Sequence, residues 1–342
     1  MPNSTDRPIT QKDVAELAGV SLSAVSRTFT SGASVSPATR QKVLIAAKAL
    51  GYKTNILAQS LMTNRTRLIG VISSNFENPM FTEVLDQLTK ALQYRGYRTM
   101  VENVSAGSKP EDVLEQLLQY RVDGVLFLSS VLPTSFAQAC SAANLPATIL
   151  FGRTEQDYRH KEQSINVITA DNVNGAKMGA ELLIEKGYRN IGFLGGPEEA
   201  TTTRDRKQSI VETLNKHQLT LVAEQHCDAY TYDAALTKSK EMLAAYPDLD
   251  AVFCGDDVLA IAVLDTLREL GVDCPNQVGV LGFNDMAIST WGAYQLTTIR
   301  QPAKAMVEAA IELTLRQIEE PTSPCEYKIL PCETVIRRTI RP

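Results

Sequence analysis

No run of apolar residues in this 342-residue chain is both long enough and free enough of charge to span a bilayer. The opening Met-Pro-Asn-Ser-Thr-Asp is polar and has no apolar signal core, so a cytoplasmic protein with no membrane partner is expected. Cysteine is sparse and unpatterned. Cys140, Cys227, Cys254, Cys274, Cys325 and Cys332 form no C-x-x-C pair, which reads as reduced, mostly buried thiols rather than a disulfide framework. The three histidines, His160, His217 and His226, are also scattered. His226 beside Cys227 is a poor metal signature, so neither metal nor cofactor is expected. The chain lacks a G-x-S-x-G elbow and a phosphate loop ending in G-K-[ST], and Gly192, Gly195 and Gly196 do not make G-x-G-x-x-G. An enzyme is therefore not expected. Asp256 and Asp257 are an adjacent acid pair, but neighbours at a helix start diverge, so a cap and a ligand contact fit them better than acid–base chemistry.

Acid is missing from one stretch in particular. Between Leu22 and Arg65 there is no Asp or Glu. Across residues 1–65, eight basic residues against three acidic give +5; the whole chain is −5, so the remainder carries −10. A small basic head on an acidic body suits a polyanion-binding module joined to a separate globular part. A length of 342 residues allows two or three domains.

The head reads as three short helices. Thr10 caps one running to Ala18, and Gly19-Val20 turns the chain. Ser21 caps a second helix reaching Phe29, and Ser36-Pro37 starts a third that Gly51 ends. Val14, Leu17, Ala18, Val25, Val43, Ala46, Ala47 and Leu50 recur at helical spacing and form its core. Helix, glycine turn and helix is the helix-turn-helix pattern, with a plain helical hairpin as the alternative. The second helix offers Leu22, Ser23 and Arg27 to a major groove: arginine for a guanine edge, serine for several bases, leucine for a thymine methyl. Thr10, Arg40 and Lys42 are placed to meet phosphates.

From Leu68 onward short apolar runs alternate with helical stretches. The runs are 68–72, 124–128, 147–151, 190–194, 251–254 and 278–283; the helices are near 81–95, 110–120, 133–143, 172–186, 205–217, 231–245 and 257–270. This is the alternation of βαβ units with parallel sheets, so the fold class is α/β with a small all-α head. The strands are too many for one sheet of ordinary size, and the polar loop 152–165 marks a division into two lobes.

The residues 9–29, I-T-Q-K-D-V-A-E-L-A-G-V-S-L-S-A-V-S-R-T-F, resemble the head of the lac repressor / galactose repressor family. Similar matches follow along the whole chain: V-S-P-A-T-R-Q-K-V at 35–43, N-I-L-A-Q-S-L at 55–61, N-P-M-F at 78–81, D-N-V-N-G-A at 171–176, G-Y-R-N-I-G-F-L-G-G-P at 187–197, G-D-D at 255–257, G-F-N-D at 282–285 and L-T-T-I-R-Q-P at 296–302. The resemblance implies a repressor that reads near-palindromic double-stranded operator DNA as a homodimer. It implies a core of the periplasmic-binding-protein type, two parallel-sheet lobes holding a small-molecule effector between them.

The domains expected on this footing are a helix-turn-helix head at 1–54, a hinge at 55–65 and a core at 66–342. Lobe 1 takes 66–167 and 298–328; lobe 2 takes 168–297 and 329–342. In the hinge the resemblance puts Leu61 where a leucine wedges into the minor groove, with Asn55 and Ala58 as neighbours. In the core it puts Arg206 at the effector-binding arginine, Asp256 at a polar cleft position and Phe81 on a first-lobe loop; Arg153 stands near the cleft. The plainer readings are a surface charge for Arg206, a helix cap for Asp256 and a core ring for Phe81. Many members carry an acid where Asn284 stands. Its replacement by an amide, with Arg206 retained and Arg153 near the cleft, points to an anionic effector, a sugar acid as readily as a sugar.

Overall fold

The computed structural model describes residues 7, 9–30, 32–53, 65–73, 76–104, 110–129, 134–153 and 165–342. The hinge residues Asn55, Ala58 and Leu61 lie outside the described residues. The chain divides into two compact units, Met1–Thr66 and Arg67–Pro342.

In the first unit, α1 (Gln11–Ala18), α2 (Leu22–Phe29) and α3 (Pro37–Leu50) begin and end where local chemistry requires. Thr10 holds the start of α1 through Asp13, its amide donating at 2.8 Å and its hydroxyl at 2.7 Å to the same carboxylate oxygen. Ser21 Oγ accepts from Ala24 N at 3.3 Å and Ser36 Oγ from Thr39 N at 3.1 Å. Gly19 ends α1 at φ 63°, a left-handed conformation that glycine adopts without the Cβ penalty. Val14, Ala15, Val25, Val43, Ala46 and Ala47 make one small buried core. Phe29 and Tyr52 cover its edge, ring centroids 5.5 Å apart.

The second unit contains two six-stranded sheets. The first has the order β11-β5-β4-β3-β1-β2, from β1 (Leu68–Ser73), β2 (Arg98–Asn103), β3 (Gly124–Ser129), β4 (Ala147–Phe151), β5 (Asn166–Ala170) and β11 (Tyr327–Leu330). The second has the order β12-β10-β9-β8-β6-β7, from β6 (Ile191–Gly195), β7 (Ala223–His226), β8 (Ala251–Cys254), β9 (Gly279–Asn284), β10 (Thr297–Arg300) and β12 (Glu333–Val335). Every pairing is parallel except β10 with β12. The central strands are buried throughout, which is why they read as continuous apolar runs rather than alternating ones. Around the sheets lie α4 (Pro79–Tyr94), α5 (Pro110–Gln119), α6 (Thr134–Ala142), α7 (Asn172–Glu185), α8 (Thr201–Lys216), α9 (Tyr232–Ala245), α10 (Asp257–Glu269) and α11 (Ala303–Glu319).

The lobe boundaries expected from the sequence are displaced. The chain crosses after Ala170, Arg300 and Leu330 rather than at 167/168, 297/298 and 328/329. Each strand completes its pairing in one sheet before the chain leaves: Ala170 is still opposite Leu330, and Arg300 opposite Asn284. The helix α11 and the strands β2, β5, β7, β10, β11 and β12 extend the set of elements read from the sequence.

Candidate functional site

Two sites emerge, one on each unit. On the head, α2 buries Val25 and Thr28 and leaves Leu22, Ser23 and Arg27 in solvent, with Leu22 53% exposed. A leucine that could have been buried and is not is the informative feature here. Arg27 Nε donates back to Ser23 O at 3.2 Å, which holds the guanidinium along the helix beside Ser23. Lys42 is exposed. Arg40 is already employed: its Nη1 donates to Thr28 O at 3.0 Å, bracing the last turn of α2 against α3. The Thr10 hydroxyl is spent on Asp13. Lys42 therefore has a freer side chain to offer a phosphate than either Arg40 or Thr10.

In the core, the functional side chains gather at the carboxyl ends of the strands, where loops of parallel sheets diverge. Asp256 follows β8, Asn284 ends β9, Asn172 follows β5 and Arg153 follows β4. Arg206 comes from the first half of α8 and is 3% exposed, so it is no surface charge. Its guanidinium lies 3.6 Å over the Phe283 ring. Nε donates to Asn172 Oδ1 at 2.8 Å, Nη1 donates to Gly255 O, and Nη2 makes no hydrogen bond among the described residues. A planar cation is thus fixed in one orientation with one edge unspent. Tyr230 backs the same region, its hydroxyl within 3.0 Å and 2.7 Å of the Thr202 and Thr203 hydroxyls. A Cβ at Gly196 would stand 2.2 Å from that ring, so the Gly-Gly-Pro turn needs glycine there.

Asp256 is both cap and cleft residue. Oδ1 accepts from Val258 N at 2.8 Å; Oδ2 accepts from Asn284 Nδ2 at 2.8 Å and from Asn78 Nδ2 at 3.0 Å. Asn78 belongs to the first lobe, where its own Oδ1 accepts from Met80 N at 2.9 Å, so this bond crosses between the lobes. A second crossing joins Arg153 to Asp205 of α8 through both carboxylate oxygens, at 2.6 Å and 3.2 Å. Phe81 is a core ring, packed edge-on against Phe151 with centroids 6.0 Å apart. The structure therefore brings Arg206, Asp256 and Asn284 together, uses Arg153 as a tie, and places Phe81 in the packing behind them. Asn78, Asn172 and Asp205 are the site residues that sequence reasoning missed.

The electrostatics correct the expectation of a cationic pocket. Asp205 offsets Arg153, and the Asp256 carboxylate stands close enough to Arg206 for each to shift the other's pKa. Burial pushes the Asp256 carboxyl up to about 7, the adjacent Asp257 charge adds to this, and the bonds from Val258 and Asn78 oppose it. The folded state thus holds this proton more tightly than the unfolded chain. The stabilisation is complete below the ordinary value of 3.8 and is lost as pH rises through about 7. A shift of that size corresponds to about 4 kcal/mol. Urea midpoints taken across this window are expected to fall more steeply for the wild type than for Asp256→Asn; parallel slopes would reject the assignment.

Comparison with known proteins bears on both sites. Residues 10–55 match the model of bacterial regulatory proteins of the lacI family, and residues 180–340 match that of the periplasmic binding protein-like domain. The HTH-type transcriptional regulator CelR of Thermobifida fusca is 30% identical over 335 residues, covering 95% of this chain and 96% of its own. The chain belongs to the lacI family of bacterial regulatory proteins. It is accordingly a transcriptional regulator and not an enzyme. Among solved structures, the lac repressor dimer bound to operator and the anti-inducer ONPF matches this lacI-family chain with a TM-score of 0.87 at 26% identity, covering 98% of this chain and 100% of that one. The complex of the regulator CelR with cellobiose matches with a TM-score of 0.71 at 27% identity, covering 97% and 100%. Among the described residues no helix is long and apolar enough to cross a membrane, and no cluster of side chains could hold a metal ion.

Proposed function

We propose that this lacI-family regulator is a cytoplasmic homodimeric repressor, and that an uncharged sugar bound between its lobes sets its affinity for a near-palindromic operator. The observation that carries this reading is the buried Arg206 stacked on Phe283, with Asp256 and Asn284 beside it and no excess of positive charge. A flat apolar ring and convergent donors and acceptors suit a sugar's C–H face and hydroxyls. A sugar acid would add a charge that Asp256 and Asp205 disfavour. The lac repressor dimer on operator and the cellobiose complex of CelR support the dimer, the DNA partner and the carbohydrate class. The Asn78–Asp256 and Arg153–Asp205 ties come from both lobes, so a ligand that rearranges them shifts the interlobe angle by its differential affinity for the two arrangements.

The test is to titrate the purified protein with neutral mono- and disaccharides and their uronic acids while following the anisotropy of labelled operator. Neutral sugars are expected to change operator affinity and the acids to leave it alone; the opposite preference would overturn the reading. On the DNA side, Arg27→Ala is expected to weaken operator binding by about 1–3 kcal/mol and to relax discrimination at one base pair. Unaltered affinity and selectivity in a binding-site selection would show that α2 does not read bases through this side chain.

A further inference from the structure

A groove of about 560 Å³ opens along the seam of the two lobes, walled by Met80, Val84 and Gln87 of α4, Met286 after β9, Gln301 at the crossing and Lys304 of α11. Of the five core residues expected to meet the effector, Asn284 alone lines it. The walls are largely apolar, yet two acceptors in them have no partner: Gln87 Oε1 and Gln301 Oε1 are both buried, and Gln301 as a whole is 4% exposed. A buried amide carbonyl without a donor is costly and uncommon.

The orientation of Gln301 follows from the Asp256 carboxylate. Asp256 Oδ2 accepts from Asn284 Nδ2, so Asn284 turns its Oδ1 the other way. That oxygen accepts from Gln301 Nε2, which leaves Gln301 Oε1 for the groove. Turning the Gln301 amide over would set two oxygens against each other. The acids of the walls are occupied: Asp285 pairs with Arg300 and Arg337 at 2.6 Å each, Glu308 with Arg95 at 2.7 Å, and Glu83 accepts from Ala287 N at 3.2 Å. Two carbonyls and three carboxylates repel an anion of acceptors only. They suit a molecule that brings its own O–H donors and an apolar face for Met80, Val84 and Met286.

We propose that this groove is a second small-molecule site, separate from the effector cleft, which takes an uncharged polyhydroxylated ligand donating to Gln87 Oε1 and Gln301 Oε1. The volume suits a monosaccharide or a cyclitol. Because α4 and α11 belong to one lobe and Asn284–Met286 to the other, occupancy weights the interlobe angle. The chain Gln301–Asn284–Asp256–Asn78 joins the groove to the cleft. That link rests on the cleft's being the effector site; the groove itself does not.

The experiment uses the full chain labelled with ¹³C-methyl methionine and titrates D-glucose and myo-inositol separately. The Met80 and Met286 methyl signals, assigned through Met80→Leu and Met286→Leu, report the groove directly. With at least one of the two probes they are expected to shift saturably in the wild type and equally in Arg206→Ala, whose lesion lies in the cleft. Gln301→Leu is expected to weaken the probe at least tenfold. Ala305→Trp, at an exposed position on the groove wall, is expected to abolish the shift. No saturable shift with either probe would overturn the proposal. So would a shift that survives Ala305→Trp and disappears in Arg206→Ala, since the ligand would then sit in the cleft.

Discussion

Replacing Arg206 by alanine is expected to abolish the response of operator affinity to effector while leaving operator affinity itself within a few-fold of wild type. The guanidinium stacks on Phe283, is held by Asn172 and Gly255, and presents its remaining edge where a ligand can meet it. A buried charged donor is worth about 1.5–3 kcal/mol per hydrogen bond. The stacked plane adds to that, so effector affinity should fall by about a hundredfold or more. Lysine should not rescue it: an ammonium can neither lie flat on the ring nor donate to Asn172 and Gly255 at once. Operator titrations by anisotropy, with and without saturating effector, measure both quantities. A mutant that lost DNA binding and kept its effector response would place Arg206 on the DNA side of the coupling and end this account. The coupling itself is bounded by the ligand's preference for one lobe arrangement, commonly about 1–3 kcal/mol.

The second large effect is structural. Asp257→Ala is expected to destabilise the core by about 3–5 kcal/mol, the cost of breaking a buried charged cluster at one member. Asp257 is fully buried, and its carboxylate gathers three donors: Met286 N at 2.8 Å, the Ser289 hydroxyl at 2.7 Å and the Thr298 hydroxyl. Burial raises its pKa against the pull of those bonds. Without it, the short 3₁₀ turn Ala287–Thr290 loses its tether to α10, and the wall of the seam near Met286 loosens. A denaturation midpoint within about 1 kcal/mol of wild type would show that water or a neighbour replaces the carboxylate. Gly282→Ala strikes the same group from the other side, since its Cβ would stand 2.2 Å from Asp257 Oδ1.

The adjacent acids thus divide the work in a way their sequence could only half disclose. A cap at Asp256 was legible, because an acid before an apolar helix start is a local signal. Its partners Asn78 and Asn284, 178 and 28 residues away, were not. Asn78 did carry a local mark, asparagine followed by proline at the start of a helix, and could have been found as a cap. The head was legible almost to the residue, because Ser21, Ser36-Pro37, Gly19 and Gly51 act on their immediate neighbours. The edge strands were not: Arg98–Asn103 and Ala223–His226 are polar and part-exposed, so they leave no apolar run. Helix Ala303–Glu319 has Met306, Val307, Ala310, Ile311, Leu313 and Ile318 buried at helical spacing, a pattern that could have revealed it. Arg153 was placed near the cleft correctly, but a charge quenched by Asp205 cannot be told from a free one without the fold.

The crossings after Ala170, Arg300 and Leu330 also bear on how the protein is made. Strands β11 and β12, the last to leave the ribosome, complete the edges of the first and second sheets respectively. Until they emerge, both lobes stand with an open strand edge, and Ile299 of β10 lacks its neighbour Thr334. Neither lobe can mature ahead of the other, and a message cut short near its end yields no half-protein with one sound lobe. Synthesis therefore ends in a single late closing event, during which the nascent chain is most open to proteases and to pairing with the wrong edge.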